Sequence, residues 1–314
     1  ERASAVQRPG CVVVTPISAK ESAPCLYVLS ANEGVIRYAD LDTGMIADPA
    51  ATPPELRELV SGIDPGTYAG EHYTLAAGRV AGERVAYWTE ETRLYRRAAT
   101  DERSTRIYVP LLIPVGLCVD SSGGKLYEVE LPANTADGSG AGSIRRWSLD
   151  GSNQETLASG WAIGQVVPWF VSVDPAAHRL YYARMQYGSG SIIEPLAAGT
   201  TTIDVATTEP FSSQTLVSGL EDIGGMAVDS GLSAGARYVY WTLPGAGRID
   251  RCKVDGSGVT QLMTGLASPG AIVVDVGRGL LYWGGADGIH RANLDGTNAK
   301  LIYPGVAADA LAIG

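Results

Sequence analysis

This sequence has few of the residues that carry redox, metal or acid–base chemistry. In 314 residues there are four cysteines, three histidines and two phenylalanines. No two cysteines are spaced C-x-x-C, which argues against a zinc site. His72, His178 and His290 fall before an inner strand, in a hairpin turn and in an outer strand, positions that do not readily converge. G-x-S-x-G, H-E-x-x-H and phosphate-binding glycine loops are all missing. No catalytic residue, metal ligand or cofactor is therefore expected, and the chain is not expected to be an enzyme. Lysine is scarce beside arginine, and acids outweigh bases to give a formal net charge of −10. That balance argues against nucleic acid or an anionic membrane as partner. No apolar run is long enough to span a bilayer, so membrane insertion is not expected. N-x-S/T sequons are missing too, so a glycan gives no indication of compartment. The polar start, ERASAVQRPG, suits a mature secreted chain after signal removal, but suits an arbitrary boundary equally well.

What the chain does have is glycine, short apolar strands and repetition. Residues 224–262, GGMAVDSGLSAGARYVYWTLPGAGRIDRCKVDGSGVTQL, lie in register with residues 270–302, GAIVVDVGRGLLYWGGADGIHRANLDGTNAKLI. Both run from an apolar strand ending in Val-Asp through an aromatic strand and a glycine turn. A strand I-x-R-x-x-V/L and an Asp-Gly pair then lead to a last short strand. Weaker copies place the aromatic strands at Tyr27, Tyr87, Tyr127, Tyr182, Tyr240 and Tyr282. Six units of roughly 40 to 60 residues match four-stranded propeller blades. The Val-Asp strands are rich in small and β-branched residues, which suit the crowded axis. The Tyr-Trp strands are bulky enough to fill the wider gaps between sheets. Asp150-Gly151, Asp255-Gly256 and Asp295-Gly296 read as turns in which glycine accepts positive φ.

The stretches YVYWT, IDRCKVDGSG, LLYW and IHRANLDGTNAKLI resemble the YWTD repeats of low-density-lipoprotein-receptor-type six-bladed propellers. The likeness extends over nearly the whole chain. It implies an all-β fold of six four-stranded antiparallel blades, residues 1–314 forming one propeller domain. The units run approximately over 25–70, 71–113, 114–165, 166–222, 223–268 and 269–314. The motif's closing Asp is missing, with Glu90 and Leu243 in its place in blades 2 and 5. The resemblance also implies a rigid, non-catalytic platform for recognition, secreted or at the cell surface.

Two segments compete for the inner strand of blade 1. The end, PGVAADALAIG, matches the GLASPGAIVVD that leads into blade 6, so Ala310 to Gly314 is expected innermost, beside Leu26 to Leu29. The rival, RPGCVVVTPIS (residues 8–18), is then expected at an edge, or pinning the closure through a Cys11–Cys25 disulfide. As an alternative, a spare strand could pair with another copy and drive self-association. Cys118 and Cys252 read as buried thiols.

Propeller ligands bind on the loops at the mouths of the ring. Loops from strand 2 to 3 and crossings from strand 4 to the next blade share one face, and the long insertions 131–143 and 185–200 fall there. Trp161, Trp169 and Tyr187 are candidate anchors on that face for a protein or glycan ligand. The alternative is that the tryptophans plug the interface between blades. Glu71, Asp222 and Asp309 each precede an inner strand and could ring the channel mouth, attracting a basic side chain. The leading expectation is a binding or scaffold module. A self-associating structural component and a metal-dependent propeller hydrolase or lyase are the alternatives.

Overall fold

The computed structural model describes residues 24–41, 53–63, 73–90, 92–98, 101, 103–108, 113–131, 141–162, 166–186, 200–231 and 237–314. They build six four-stranded antiparallel sheets, with helix limited to two single 3-10 turns, Ala31–Glu33 and Pro175–Ala177. Blade 1 holds β1 (Cys25–Ser30), β2 (Val35–Asp40) and β3 (Arg57–Ser61). Blade 2 is β4 (Leu75–Val80), β5 (Glu83–Glu90), β6 (Arg93–Ala98) and β7 (Thr105–Tyr108). Blade 3 is β8 (Ile113–Asp120), β9 (Lys125–Leu131), β10 (Gly142–Ser148) and β11 (Glu155–Trp161). Blade 4 is β12 (Val166–Asp174), β13 (Arg179–Gln186), β14 (Thr201–Thr208) and β15 (Phe211–Leu220). Blade 5 is β16 (Gly225–Val228), β17 (Tyr238–Leu243), β18 (Arg248–Lys253) and β19 (Thr260–Met263). Blade 6 is β20 (Ile272–Asp275), β21 (Leu280–Gly285), β22 (Gly288–Asn293) and β23 (Lys300–Pro304).

The ring closes with the C-terminal strand, as expected. β24 (Ala310–Ile313) pairs antiparallel with β1, Leu26 opposite Ile313 and Leu29 opposite Ala310. It also touches β4 and β20, the inner strands of the two adjacent blades. The six inner strands thus contact one another all the way round the axis. The rival segment 8–18, Cys11 and any self-association through that strand lie outside the described residues. The expected Cys11–Cys25 bridge is not seen: Cys25 is a free thiol, fully buried within β1. Burial pushes this thiol up to about 12, so it is protonated and inert at neutral pH.

Three repeated devices hold neighbouring blades together. The first is tyrosine on the second or aromatic strand. Tyr87, Tyr181 and Tyr240 each donate a hydroxyl to a carbonyl of the following blade, at Leu149, Val254 and Leu294 (3.1, 3.5 and 3.4 Å). Each acceptor immediately precedes an Asp-Gly pair. The Asp side chain caps its own turn, Oδ1 of Asp150, Asp255 and Asp295 accepting the N–H of Ser152, Ser257 and Thr297. The glycine then lies against the outer strand of the preceding blade. A Cβ on Gly256, at φ +85°, would stand 2.8 Å from the Leu216 carbonyl oxygen, and Gly151 and Gly296 are similarly confined by Ile107 and Leu262. These pairs are therefore blade-to-blade clasps as well as turns. Gly256→Val is expected to cost at least about 2 kcal/mol from the left-handed backbone and the clash together. Its urea midpoint should fall well below that of Val259→Thr, a control at a half-exposed position.

The second device is the Val-Asp end of the inner strand. Asp120, Asp174, Asp229 and Asp275 are buried and accept the N–H of Gly123, Ala177, Gly231 and Arg278, which closes the turn to the second strand. Asp174 also pairs with Arg237 of blade 5, and Arg278 reaches from Asp275 to the Leu41 carbonyl of blade 1. The third device is a register shift between third and outer strand in every blade. It follows Ile36, Leu94, Ile144, Ile203, Ile249 and Ile289, all fully buried. A bulge at that point bends each outer strand and blunts an edge that could otherwise pair with another chain.

Candidate functional site

Strand direction puts the loops from second to third strand and the crossings between blades on one face, the loop face. A cavity of about 260 Å³ opens there at the seam where blade 6 meets the closing strand of blade 1. Its walls are mostly backbone, from Gly270, Gly284, Gly285, Ala307, Ala308 and Asp309. The cause is local. Blade 5 carries Thr242-Leu243 after its Tyr-Trp pair, and the Thr242 hydroxyl donates to the Gly270 carbonyl at 2.8 Å. Blade 6 carries Gly284-Gly285 instead. The main chain of the crossing comes so close that a Cβ on Gly284 would stand 2.9 Å from the Ala308 carbonyl oxygen. Without side chains there, a hollow is left.

The hollow is acidic at its edge. Asp309 lines it, and its Oδ2 accepts the N–H of Ala31 at 2.7 Å, while the Ser30 hydroxyl donates to the Ala307 carbonyl at 2.6 Å. Burial raises the Asp309 carboxyl above the usual carboxylate range, and the Ala31 N–H opposes that shift. Asp287 and His290 crowd Gly285 from the outer side, bonded Oδ1 to Nε2 at 2.7 Å, with the imidazole stacked on Trp283 at 5.1 Å. That contact with His290 holds the Asp287 carboxyl below its ordinary value. Glu33, Glu90, Glu221 and Asp222 sit in or beside other loops of the same face, against Arg93 and Arg248.

The residues singled out from the sequence are spread, not gathered. Trp169 lies in β12 at 2% exposure, packed in the core that blades 3, 4 and 5 share, so it is a wedge between blades and offers no face to a ligand. Trp161 ends β11 opposite Gly142 and is half-buried against the same core, its remaining surface open. Asp222 is half-buried just before β16. Asp309 is turned into the blade 6–blade 1 seam, where it ties the closing strand to the loop after β1. Tyr187 and Glu71 lie outside the described residues, as does His72. The Gly284-Gly285 hollow and its Asp287–His290 rim did not stand out in the sequence. The one available signal was the pair of glycines where the repeat calls for two side chains.

No family model and no curated protein sequence matches the chain. Among solved structures, it is similar to a chain in the crystal structure of a nidogen/laminin complex, with a TM-score of 0.65 and 16% identity. The alignment covers 92% of this chain and 97% of that one. It is also similar to a putative TolB from Agrobacterium tumefaciens, with a TM-score of 0.60, 13% identity and 92% of both chains covered. At such identities the likeness establishes the fold, a six-bladed propeller of the type the YWTD resemblance implies.

Proposed function

We propose that this propeller is a non-catalytic binding module that engages a protein partner through its loop face, with the hollow between blades 6 and 1 receiving a partner side chain. The observation that carries this reading is the Gly284-Gly285 hollow. It is the size of one side chain, walled by peptide groups that can hydrogen-bond, and placed on the face where propeller loops bind. The acidic surroundings favour a basic or hydrogen-bond-donating side chain. One structural neighbour comes from a complex between two proteins, which is consistent with the same use of the fold. Secretion, or display at the cell surface, belongs to the same proposal. Among the described residues no helix is long and apolar enough to cross a membrane.

The test is capture of a partner from the native surroundings on immobilised protein. Ala286 is exposed at the rim of the hollow, so Ala286→Trp should plug the opening without touching the core. Capture is expected to fall at least about tenfold, equivalent to about 1.4 kcal/mol, with the thermal midpoint unchanged. Trp161→Ala in parallel reports on the other sector, and prior removal of glycans separates a protein surface from a glycan. Full capture by Ala286→Trp would show that the hollow is not the site.

A further inference from the structure

The second strand of blade 3 breaks the aromatic rule in an informative way. Trp88, Trp241 and Trp283 each sit one residue after the blade's tyrosine and pair with the inner strand at Leu75, Met226 and Ile272. The same position in blade 3 is Glu128, paired with Leu117. Its side chain is fully buried, and neither carboxyl oxygen has a hydrogen-bond partner. Residues alternate along β9, so Glu128 shares a face with Leu126, which packs with blade 2. The wedge in this seam comes instead from Trp147 on β10, one strand further out.

Only one cation is near. Arg145, opposite Glu128 on β10, pairs with Glu130 through Nη2 and Oε2 at 2.9 Å, and the Ser143 hydroxyl donates to the same oxygen at 2.9 Å. The single guanidinium is thus committed to Glu130, which is also fully buried. From β8 the opposing residue is Leu117. From blade 2 the seam receives Ala76 on β4, Val85 and Tyr87 on β5, and Leu94 on β6. Tyr87 is the titratable group among these, and its hydroxyl is committed to the Leu149 carbonyl. Arg96 on β6 acts on Tyr87 and Asp150. An ionised Glu128 would therefore be a second buried carboxylate with one shared cation and no donor.

We propose that Glu128 is a proton-binding site that sets the grip between blades 2 and 3: protonated, it lets the seam close, and ionised, it loosens it. Desolvation and the neighbouring Glu130 push its carboxyl well above the ordinary glutamate range, with Arg145 opposing. The sign follows from linkage. Between the unfolded and folded midpoints the native state holds a proton that the unfolded state has lost, so stability declines as pH rises through that interval. Glutamine has the same shape and cannot ionise.

Two measurements test this on the full chain. In urea unfolding, Glu128→Gln and wild type should agree at about pH 4, and Glu128→Gln should be favoured at least about tenfold in its folding constant at about pH 8, one pKa unit being worth tenfold. Amides of β9 should exchange faster in wild type than in the variant at the higher pH. Parallel curves at both pH values overturn the proposal. The second measurement needs no variant: the carbon-13 shift of the Glu128 carboxyl should stay in its protonated position at a pH where the exposed glutamates have titrated. Titration together with them overturns the proposal equally.

Discussion

Leu311→Asp is expected to abolish cooperative folding at neutral pH. Leu311 is fully buried in β24, opposite Val28 of β1, where the closing strand also touches the inner strands of blades 2 and 6. Truncating a leucine at such a site costs about 2–5 kcal/mol by itself. Placing an unpaired carboxylate there adds a desolvation penalty of several kcal/mol more. The sum is comparable to the whole stability of an ordinary domain, about 5–15 kcal/mol. Leu311→Ala should lose only the first contribution and still melt as one unit. The check is tryptophan fluorescence during urea unfolding, since Trp88, Trp147, Trp241 and Trp283 are all buried and lie in four different blades. A wild-type midpoint for Leu311→Asp would mean that the ring does not depend on β24 for its closure.

That closure was readable because repetition supplied an internal ruler. The end of the chain matched the approach to blade 6 residue for residue, and an inner strand can only follow such an approach. The aromatic strands were readable for a related reason, since a large ring on a short strand has nowhere to go except the gap between sheets. The blade-to-blade clasps were half readable. Asp255-Gly256 announced a turn, but that the glycine faces the Leu216 carbonyl of another blade depends on the angle between sheets, which no local pattern encodes. Trp169 shows why the candidate site was harder. A tryptophan beside a crossing has the same local signature whether it faces solvent or a neighbouring blade, and here it begins the longer strand Val166–Asp174 and points inward. The hollow beside Gly284 was hidden for the opposite reason, because it is made by side chains that are missing. Glu128 was concealed within a recognisable strand, KLYEVE, where alternation suggests an exposed acid and only the neighbouring blade makes it a buried one.

Trp241→Ala is expected to lose about 3–5 kcal/mol, the range for emptying a fully buried large aromatic site. Trp241 is completely buried on β17, between Met226 on the inner strand and Asp250 on the third, in the core that blade 5 shares with blade 4. Its indole N–H has no hydrogen-bond partner. Its contribution is therefore volume and contact, and an aromatic of smaller size should recover part of it. Trp241→Phe is expected to lie between wild type and alanine in urea midpoint, with the slope unchanged. The two blades meet along a rigid seam that cannot collapse without moving the rest of the ring, so the cavity term should persist rather than relax. Equal losses for phenylalanine and alanine would mean that the indole N–H matters more than the space the ring fills. A loss below about 1 kcal/mol for alanine would mean that the seam can close over the gap, and that wedges between blades are not what fixes their spacing.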